Sequence, residues 1–420
     1  IKCRTCGKDE AYTSLERSWL IQCPREENCG DRWTAKGLYP ELWERFSERF
    51  ADSDDPKAIA SAYLRSRGID PSNIDDVIIG CANQAGEDNR NVARMALLLA
   101  GIPYNVPGET INRLCASGMS SVIHAHRAIK ANDGDLFISG GVENMTRLPI
   151  GSDSVGKDPK MGKPVSKSYF EQHEFTSQFE GAERVAEKYQ ITRQDTDGFG
   201  LESQIRAKTA IEEGYFNTQI IPVEAPVMDE NFEKTGETIV VSKDEIPRDT
   251  SLEALAELKP VAREDGIHTA GTSSQIADGA AAVLMMTEKK ASALGLEPLA
   301  VIKASALVGC DPVLMLEGPI PATEKVLKDS SLSIEDVDVF EINEAFASVV
   351  LSWAKTVGAD LSKVNPNGGA ISLGHPLGAT GCFLITKAVH ELVRTNGRYG
   401  LISMCCGGGL GTGTLIERTD

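Results

Sequence analysis

Two cysteines of this chain stand in surroundings that favour reaction at sulfur. Cys115 lies in the segment NRLCASG, residues 112–118, and Cys405 lies in MCCGGG, residues 404–409. A cysteine by itself is weak evidence of chemistry, because a free thiol is usually buried as a small apolar side chain. Glycine shortly after the thiol lets a backbone N–H approach a reacting carbonyl group. The two segments therefore predict catalysis by thiols.

Two segments between the cysteines carry polar side chains among small and apolar residues. Asn343 lies in NEAFA, residues 343–347, and His375 lies in GHPLGATG, residues 374–381. A histidine beside a thiol can take its proton and then donate a hydrogen bond to a substrate oxygen. The residue types alone also fit a surface turn for His375 and an Asx turn for Asn343.

The four segments, in this order and with similar separations, resemble the thiolase family, the acetyl-CoA C-acyltransferases, from about residue 69 to the C-terminus. The resemblance implies that Cys115 is the acylated nucleophile and that His375 accepts its proton. It also implies that Asn343 fixes a water which, with His375, forms an oxyanion hole for an enolate.

The same resemblance assigns the acid–base cysteine to Cys405 rather than to its neighbour Cys406. It implies that the backbone N–H groups of Cys115 and Gly407 stabilise a tetrahedral oxyanion. Because Cys115 precedes residues 116–130, which have helical character, we expect the helix dipole and a nearby histidine to lower its pKa. Proton abstraction from acetyl-CoA suggests a pKa near neutral for Cys405.

Coenzyme A enters only as a substrate, and the resemblance implies no cofactor for catalysis. Ser274, in TAGTSSQIADGA at residues 269–280, is expected to contact the pantetheine arm, and Arg248 the adenine end. An exposed surface arginine is the alternative for Arg248.

The first 68 residues lack the thiolase resemblance. Cys3 and Cys6 form one pair and Cys23 and Cys29 another, which is typical of a structural zinc site in a small ribbon. The segment loosely resembles the zinc ribbon of phage or plasmid primases. Four reduced thiols without metal are the alternative.

Two similar units are visible in the thiolase-like part. The segment SNIDDVII, residues 72–79, resembles SIEDVDVF, residues 333–340. Alternating strands and helices with apolar runs predict mostly parallel sheets covered by helices. The family implies an α/β fold: a five-layer αβαβα sandwich of two similar halves with an inserted loop domain, here preceded by the ribbon.

The predicted domains follow from this organisation. They are a zinc-ribbon segment (1–50), a linker helix (51–68), an N-terminal thiolase half (69–145), a loop domain that returns to that half (146–275, up to about 297) and a C-terminal half (298–420).

One departure from the family concerns the first strand of the N-terminal half, whose place in the sequence is taken by the ribbon. We expect that strand to lie inside the sheet, so that its loss would leave unpaired backbone groups. Residues 18–23 are the most strand-like replacement. The chain is then either a natural fusion whose ribbon completes the sheet, or an artificially joined chain with a loose N-terminal half.

Composition narrows the function classes. The chain has 420 residues and a net charge of −18, which argues against a general nucleic-acid binder, although the ribbon leaves that possibility open for its own segment. The cysteines suit a reducing compartment, so we expect a cytoplasmic protein. No apolar run reaches the ~20 residues that span a membrane.

These features lead to two hypotheses. The first is a thiolase that cleaves 3-ketoacyl-CoA with CoA, or runs the reverse Claisen condensation, through an acyl-Cys115 intermediate, as a homodimer or homotetramer. The second is an inactive thiolase fold that carries a zinc-ribbon adaptor for nucleic acid or protein.

Overall fold

The structure is a computed structural model that describes residues 12–14, 17–22, 32–34, 64–65, 67–153, 163–230 and 233–419. The chain divides into two compact units, Ile1–Ser72 with Leu97–Pro103 and Asn73–Ala96 with Tyr104–Asp420. Within the described ranges, every helix is too short or too polar to cross a lipid bilayer.

The strands, in chain order, are β1 (Tyr12–Ser14), β2 (Arg17–Gln22), β3 (Arg32–Thr34), β4 (Asp76–Gly80), β5 (Gly108–Ile111), β6 (Leu136–Asn144), β7 (Val223–Met228), β8 (Lys234–Val241), β9 (Asp278–Met286), β10 (Ala300–Gly309), β11 (Val339–Ile342), β12 (Tyr399–Cys406) and β13 (Leu410–Arg418). The α-helices are α1 (Val92–Leu99), α2 (Ser117–Ala131), α3 (Lys167–Gln172), α4 (Gln178–Tyr189), α5 (Arg193–Glu212), α6 (Leu252–Ala256), α7 (Glu288–Leu294), α8 (Pro319–Ser330), α9 (Ala347–Val357), α10 (Ala370–Leu373) and α11 (Thr380–Thr395).

The first unit contains a small antiparallel sheet in the order β1-β2-β3. Gln22, at the end of β2, pairs with Tyr12 at the start of β1 and with Arg32 at the start of β3. The chain therefore enters β1, leaves β2 and enters β3 at one end of this sheet.

The second unit contains two four-stranded sheets of similar plan. The order is β5-β4-β6-β9 in the N-terminal half and β11-β12-β13-β10 in the C-terminal half. In each half two parallel strands, β4 with β6 and β11 with β12, are followed by an antiparallel strand, β9 or β13. The repeat predicted from residues 72–79 and 333–340 is thus visible in the strand order.

Helices α2 and α11 lie between the two sheets and form the centre of the main core. Apolar side chains at helical spacing on α2, Met119, Val122 and Ile123, pack with Leu384 and Ile385 of α11. Each helix ends at an asparagine in the left-handed conformation, a common helix stop.

The two helices approach closely because glycines stand at their N-terminal turns. A Cβ on Gly118 would overlap the carbonyl oxygen of Gly378, and one on Gly381 would overlap the backbone of Met119. The glycines of the CASG and GHPLGATG segments therefore bring the ends of α2 and α11 together.

The missing first strand belongs at an edge of the sheet, so its predicted interior position is wrong. In the C-terminal half the first strand is β10, which pairs only with β13, at the margin. Strands β4 and β6 of the N-terminal half each have a partner on both sides. Strand β2, which covers most of the proposed replacement 18–23, is likewise paired on both sides within its own sheet.

The two antiparallel strands β9 and β13 differ in burial. Strand β13 is buried from Gly411 to Ile416, whereas β9 exposes every second side chain, with Leu284 37% exposed. Among the described residues of the second unit, β9 pairs with β6 alone. Within the described residues of the second unit, the outer edge of β9 is therefore unpaired, and the interior of the sheet has no gap.

Candidate active site

The turn that carries Cys115 connects β5 to α2 and is fixed by its own motif residues. Asn112 Oδ1 accepts the N–H of Leu114 (2.8 Å), and Ser117 Oγ accepts the N–H of Arg113 (2.8 Å). Leu114 adopts a φ of 50°, which is uncommon for a side chain with a Cβ. This conformation places the thiol directly before the helix.

The thiol of Cys115 is buried and meets two backbone N–H groups, its own and that of Gly407. Burial raises its pKa to about 11, although both N–H groups favour the thiolate. The expected lowering of this pKa by the helix is therefore wrong, because desolvation is the larger effect. The thiol of Cys115 is therefore neutral in the resting protein.

His375 is 3% exposed and is oriented by Thr380. Its Nδ1 lies 2.6 Å from Thr380 Oγ1, and that hydroxyl donates its proton to the carbonyl of Pro376 (2.9 Å). Nδ1 must then carry a hydrogen and donate it to Thr380. The lone pair of Nε2 is left to accept a proton, and burial lowers the pKa of His375 to about 4, which keeps the ring neutral.

Asn343 follows β11 and is completely buried. Its Nδ2 lies 3.3 Å from Nε2 of His375, in the geometry of a donor to that lone pair. Its Oδ1 has no hydrogen-bond partner among the described residues. A buried acceptor without a partner calls for a water or a substrate group, and the water-binding role of Asn343 stays a prediction.

The NEAFA segment is anchored through the carboxylate of Glu344. It accepts hydrogen bonds from Asn365 Nδ2 (2.9 Å), Ser203 Oγ (2.7 Å) and the N–H of Ile371 (3.1 Å). This residue joins the segments on either side of the site and was not singled out from the sequence.

Cys405 and Cys406 point to opposite faces of β12, as successive residues of a strand must. Cys406 packs with the central helices, whereas Cys405 packs beside Phe346 and Met315. Burial, together with the nearby thiols of Cys115 and Cys310, raises the pKa of Cys405 far above its ordinary value. The expected pKa near neutral is therefore wrong, and the thiol of Cys405 is protonated in the resting protein.

The segment proposed to bind CoA runs between the NEAFA and GHP segments. The N–H of Ser274 donates to Ala345 (3.0 Å), and the carbonyl of Gln275 accepts from the N–H of His375 (2.9 Å). Ser274 is half-buried, and the exposed Arg248 reaches Gln275 Oε1 at 3.4 Å. Both predicted CoA contacts therefore lie along one segment that borders the site.

Glu143 was missed by the sequence interpretation. It is the penultimate residue of a largely apolar strand, β6, and its buried carboxylate accepts backbone N–H groups from both halves of the fold. A lone acidic residue at the carboxyl end of a central strand was the available signal. The predicted zinc ligands Cys3, Cys6, Cys23 and Cys29 lie outside the described residues.

Comparisons with known proteins agree with this geometry. Residues 52–289 match the thiolase N-terminal domain and residues 296–418 match the thiolase C-terminal domain. The chain is 46% identical over 381 residues to the 3-oxoadipyl-CoA/3-oxo-5,6-dehydrosuberyl-CoA thiolase of Escherichia coli (strain K12), covering 87% of this chain and 94% of that protein. It is 44% identical over 355 residues to a steroid 3-ketoacyl-CoA thiolase of Mycobacterium tuberculosis, covering 83% and 84% of the two chains.

A solved structure shares the fold. The crystal structure of the Bacillus anthracis acetyl-CoA acetyltransferase is similar with a TM-score of 0.77 and 37% identity, over 88% of this chain and 93% of that chain. The motifs, the paired sheets and the family matches agree, and the chain belongs to the thiolase family.

Proposed function

We propose that Cys115, His375, Asn343, Cys405 and Gly407 carry out the thiolase reaction of this protein. As a thiolase it is an acyltransferase that cleaves a 3-ketoacyl-CoA with CoA. The assignment rests on one observation above all: the thiol of Cys115 meets the N–H of Gly407, while His375, with its hydrogen on Nδ1, has Nε2 at 3.3 Å from Asn343 Nδ2.

The first step is attack of the Cys115 sulfur on the keto carbon, with its proton passing to Nε2 of His375. Because both groups are neutral at rest, the proton need not leave the site before substrate binds. The N–H groups of Cys115 and Gly407 then stabilise the oxyanion, and a single donor of this kind contributes about 3 kcal/mol.

Cleavage of the Cα–Cβ bond leaves acyl-Cys115 and the enolate of acetyl-CoA. His375 and the water fixed by Asn343 stabilise the enolate oxygen, and Cys405 gives the enolate carbon a proton. The raised pKa of Cys405 keeps that proton in place until the enolate forms. A second CoA then takes the acyl group from Cys115, its thiol proton restores Cys405, and the proton held by His375 returns to the Cys115 sulfur. We place Ser274 at the pantetheine arm of this CoA and Arg248 at its adenine end.

The test is the mass of the protein after incubation with acetyl-CoA. Wild type should gain one acetyl group, Cys115→Ala should gain none, and Cys405→Ala should be acetylated but inactive in turnover. Acetylation that persists in Cys115→Ala would refute the assignment.

We further propose that the substrate is a 3-ketoacyl-CoA whose acyl chain ends in a second carboxylate. The support is the similarity to the Escherichia coli thiolase and to a beta-ketoadipyl-CoA thiolase of Acinetobacter baylyi, 44% identical over 381 residues. The value of kcat/KM should be higher for 3-oxoadipyl-CoA than for acetoacetyl-CoA. The opposite order, or a preference for a steroid 3-ketoacyl-CoA, would contradict this substrate class.

The N-terminal segment is proposed to bind one structural zinc ion. In the order of the sequence, Cys3 and Cys6 precede β1, Cys23 directly follows β2 and Cys29 precedes β3. Four thiolates suit a closed tetrahedral zinc site. A metal assay should find about one zinc per chain, and less after Cys23 and Cys29 become Ser; a metal-free protein of unchanged stability would contradict it.

The remaining assignments are also proposals. They are a five-layer αβαβα arrangement, domain boundaries near residues 50, 68, 145, 275 and 297, a homodimer or homotetramer, and a cytoplasmic location. Light scattering of the purified protein tests the assembly. No observation on the described residues favours the adaptor hypothesis.

A further inference from the structure

Glu143 connects the surroundings of the nucleophile to the loop that carries the base. It lies near the end of β6 and is 1% exposed. Its Oε1 accepts the N–H of Asn83 (2.8 Å), and its Oε2 accepts the N–H groups of Ala82 (2.9 Å) and Gly378 (2.8 Å).

The two ends of this connection belong to different halves of the fold. Ala82 packs against Cys115, and its carbonyl accepts Asn112 Nδ2 (2.8 Å) from the nucleophile turn. Gly378 follows His375 by three residues, in the turn that begins α11. The carboxylate of Glu143 therefore connects Ala82, which packs against Cys115, to Gly378, which lies in the turn after His375.

We propose that Glu143 is a positioning residue which fixes the distance between Cys115 and Nε2 of His375. This inference rests on the proposed thiolase mechanism. The hydrogen bonds of Glu143 go to backbone N–H groups, and it acts through the backbone of Gly378 and Ala82.

A carboxylate suits this position better than any other side chain of similar size. Three N–H donors converge on it, and only an ionised carboxylate presents acceptors on both oxygens without a competing donor. A glutamine would turn its NH2 group toward at least one of the three N–H groups. An aspartate would keep the charge but would be one methylene too short to reach both sides.

Asp88 provides a matched control from the same cluster. Ligand atoms of Cys81, Asp88 and Glu143 all lie within 4.8 Å of one another, and all three residues are buried. The carboxylate of Asp88 accepts the N–H of Asn144, which is not part of the His375 loop. Replacing Asp88 therefore perturbs the cluster without releasing Gly378.

The experiment compares Glu143→Gln, Glu143→Asp and Asp88→Asn with wild type in steady-state thiolysis and in amide hydrogen exchange. For both Glu143 variants we expect kcat to fall about 10- to 100-fold, with KM changed by less than about threefold, because a misplacement of about 1 Å can cost that much in rate. The amide of Gly378 should exchange faster in both. Asp88→Asn should stay within about threefold of wild type in kcat.

Reaction of Cys115 with iodoacetamide separates position from charge. The charge of Glu143 opposes formation of the Cys115 thiolate. Alkylation of Cys115 at fixed pH should therefore be faster in Glu143→Gln than in wild type, but not in Glu143→Asp, although kcat falls in both variants. A Glu143→Asp variant with normal kcat would overturn the proposal. The negative charge alone would then support activity, even though the shorter side chain cannot reach both Ala82 and Gly378.

The hydrogen-exchange measurement does not depend on enzyme activity. In wild type the amides of Ala82, Asn83 and Gly378 lie outside the helices and strands, yet they should be protected as well as core strand amides. Rapid exchange of these three in the folded wild type would overturn the proposal even if the variants fail to fold. Failure of the proposed thiolase function can be told apart from failure of this inference. A wild-type protein without thiolase activity, but with all three amides protected, would contradict the proposed reaction and leave the hydrogen bonds of Glu143 standing.

Discussion

Replacing Thr380 by valine should remove the group that sets the tautomer of His375. Valine has nearly the shape of threonine, so the packing at the start of α11 is kept. The buried Nδ1–H loses its acceptor, which lies at 2.6 Å in the wild type. The ring can respond by moving its hydrogen to Nε2, where it can no longer accept the proton of Cys115.

The size of the effect follows from the cost of a buried unpaired N–H, about 1–3 kcal/mol. If this cost falls on the reactive tautomer, kcat should drop about 5- to 150-fold, since 1.4 kcal/mol corresponds to about tenfold in rate. KM should change little, because Thr380 is buried behind the imidazole and reaches the substrate only through it.

Thiolysis kinetics and the ¹⁵N shifts of the imidazole measure the two consequences separately. Thr380→Ser keeps the hydroxyl and should retain most of the activity. The reasoning is refuted if Thr380→Val stays within about twofold of wild type, or if Thr380→Ser loses as much activity as Thr380→Val.

Three further predictions concern pH, the enolate site and the open sheet edge. Because burial lowers the pKa of His375 from 6.5 to about 4, its imidazole is protonated at a higher pH in the unfolded chain than in the folded protein. The free energy of unfolding should therefore decline by about 3 kcal/mol as the pH falls from 6.5 to 4. Urea unfolding should show a smaller decline for His375→Gln, and an equal decline would contradict this cause. Asn343→Ala should lower kcat about 10- to 1000-fold with little change in KM, because its water acts on the developing enolate, and a raised KM at unchanged kcat would contradict this role. Amides on the outer edge of β9 should exchange faster than those of β13, which has β10 beside it; equal protection would show that another segment pairs with β9.

The placement of the missing strand shows what sequence resemblance leaves undecided. The sequence indicates that the first strand of the family is replaced and where it would stand along the chain. It does not show where that strand would lie in the sheet. The position of β10 beside β13, at the margin, supplies that information because the two halves repeat. An edge strand can be lost with one row of unpaired groups, which water can satisfy, whereas an interior strand cannot.

The pKa values of the Cys115 and Cys405 thiols also depend on the folded structure rather than on the sequence alone. A thiol before a helix favours a thiolate by local electrostatics, and that inference uses only neighbours in the chain. The pKa values of Cys115 and Cys405 are raised chiefly by burial under distant segments. Desolvation depends on everything that packs around an atom, so it is decided only when the chain is folded.

The sequence by itself determined the residue types, the motif glycines, the internal repeat and the membership that these imply, because each depends on local spacing. Tertiary structure decided which groups meet: Thr380 with His375, Glu143 with Gly378, and Gly407 with Cys115. These contacts join residues across turns and across the two halves. Their strength depends on distance and burial in three dimensions, and neither quantity is written in the order of residues along the chain.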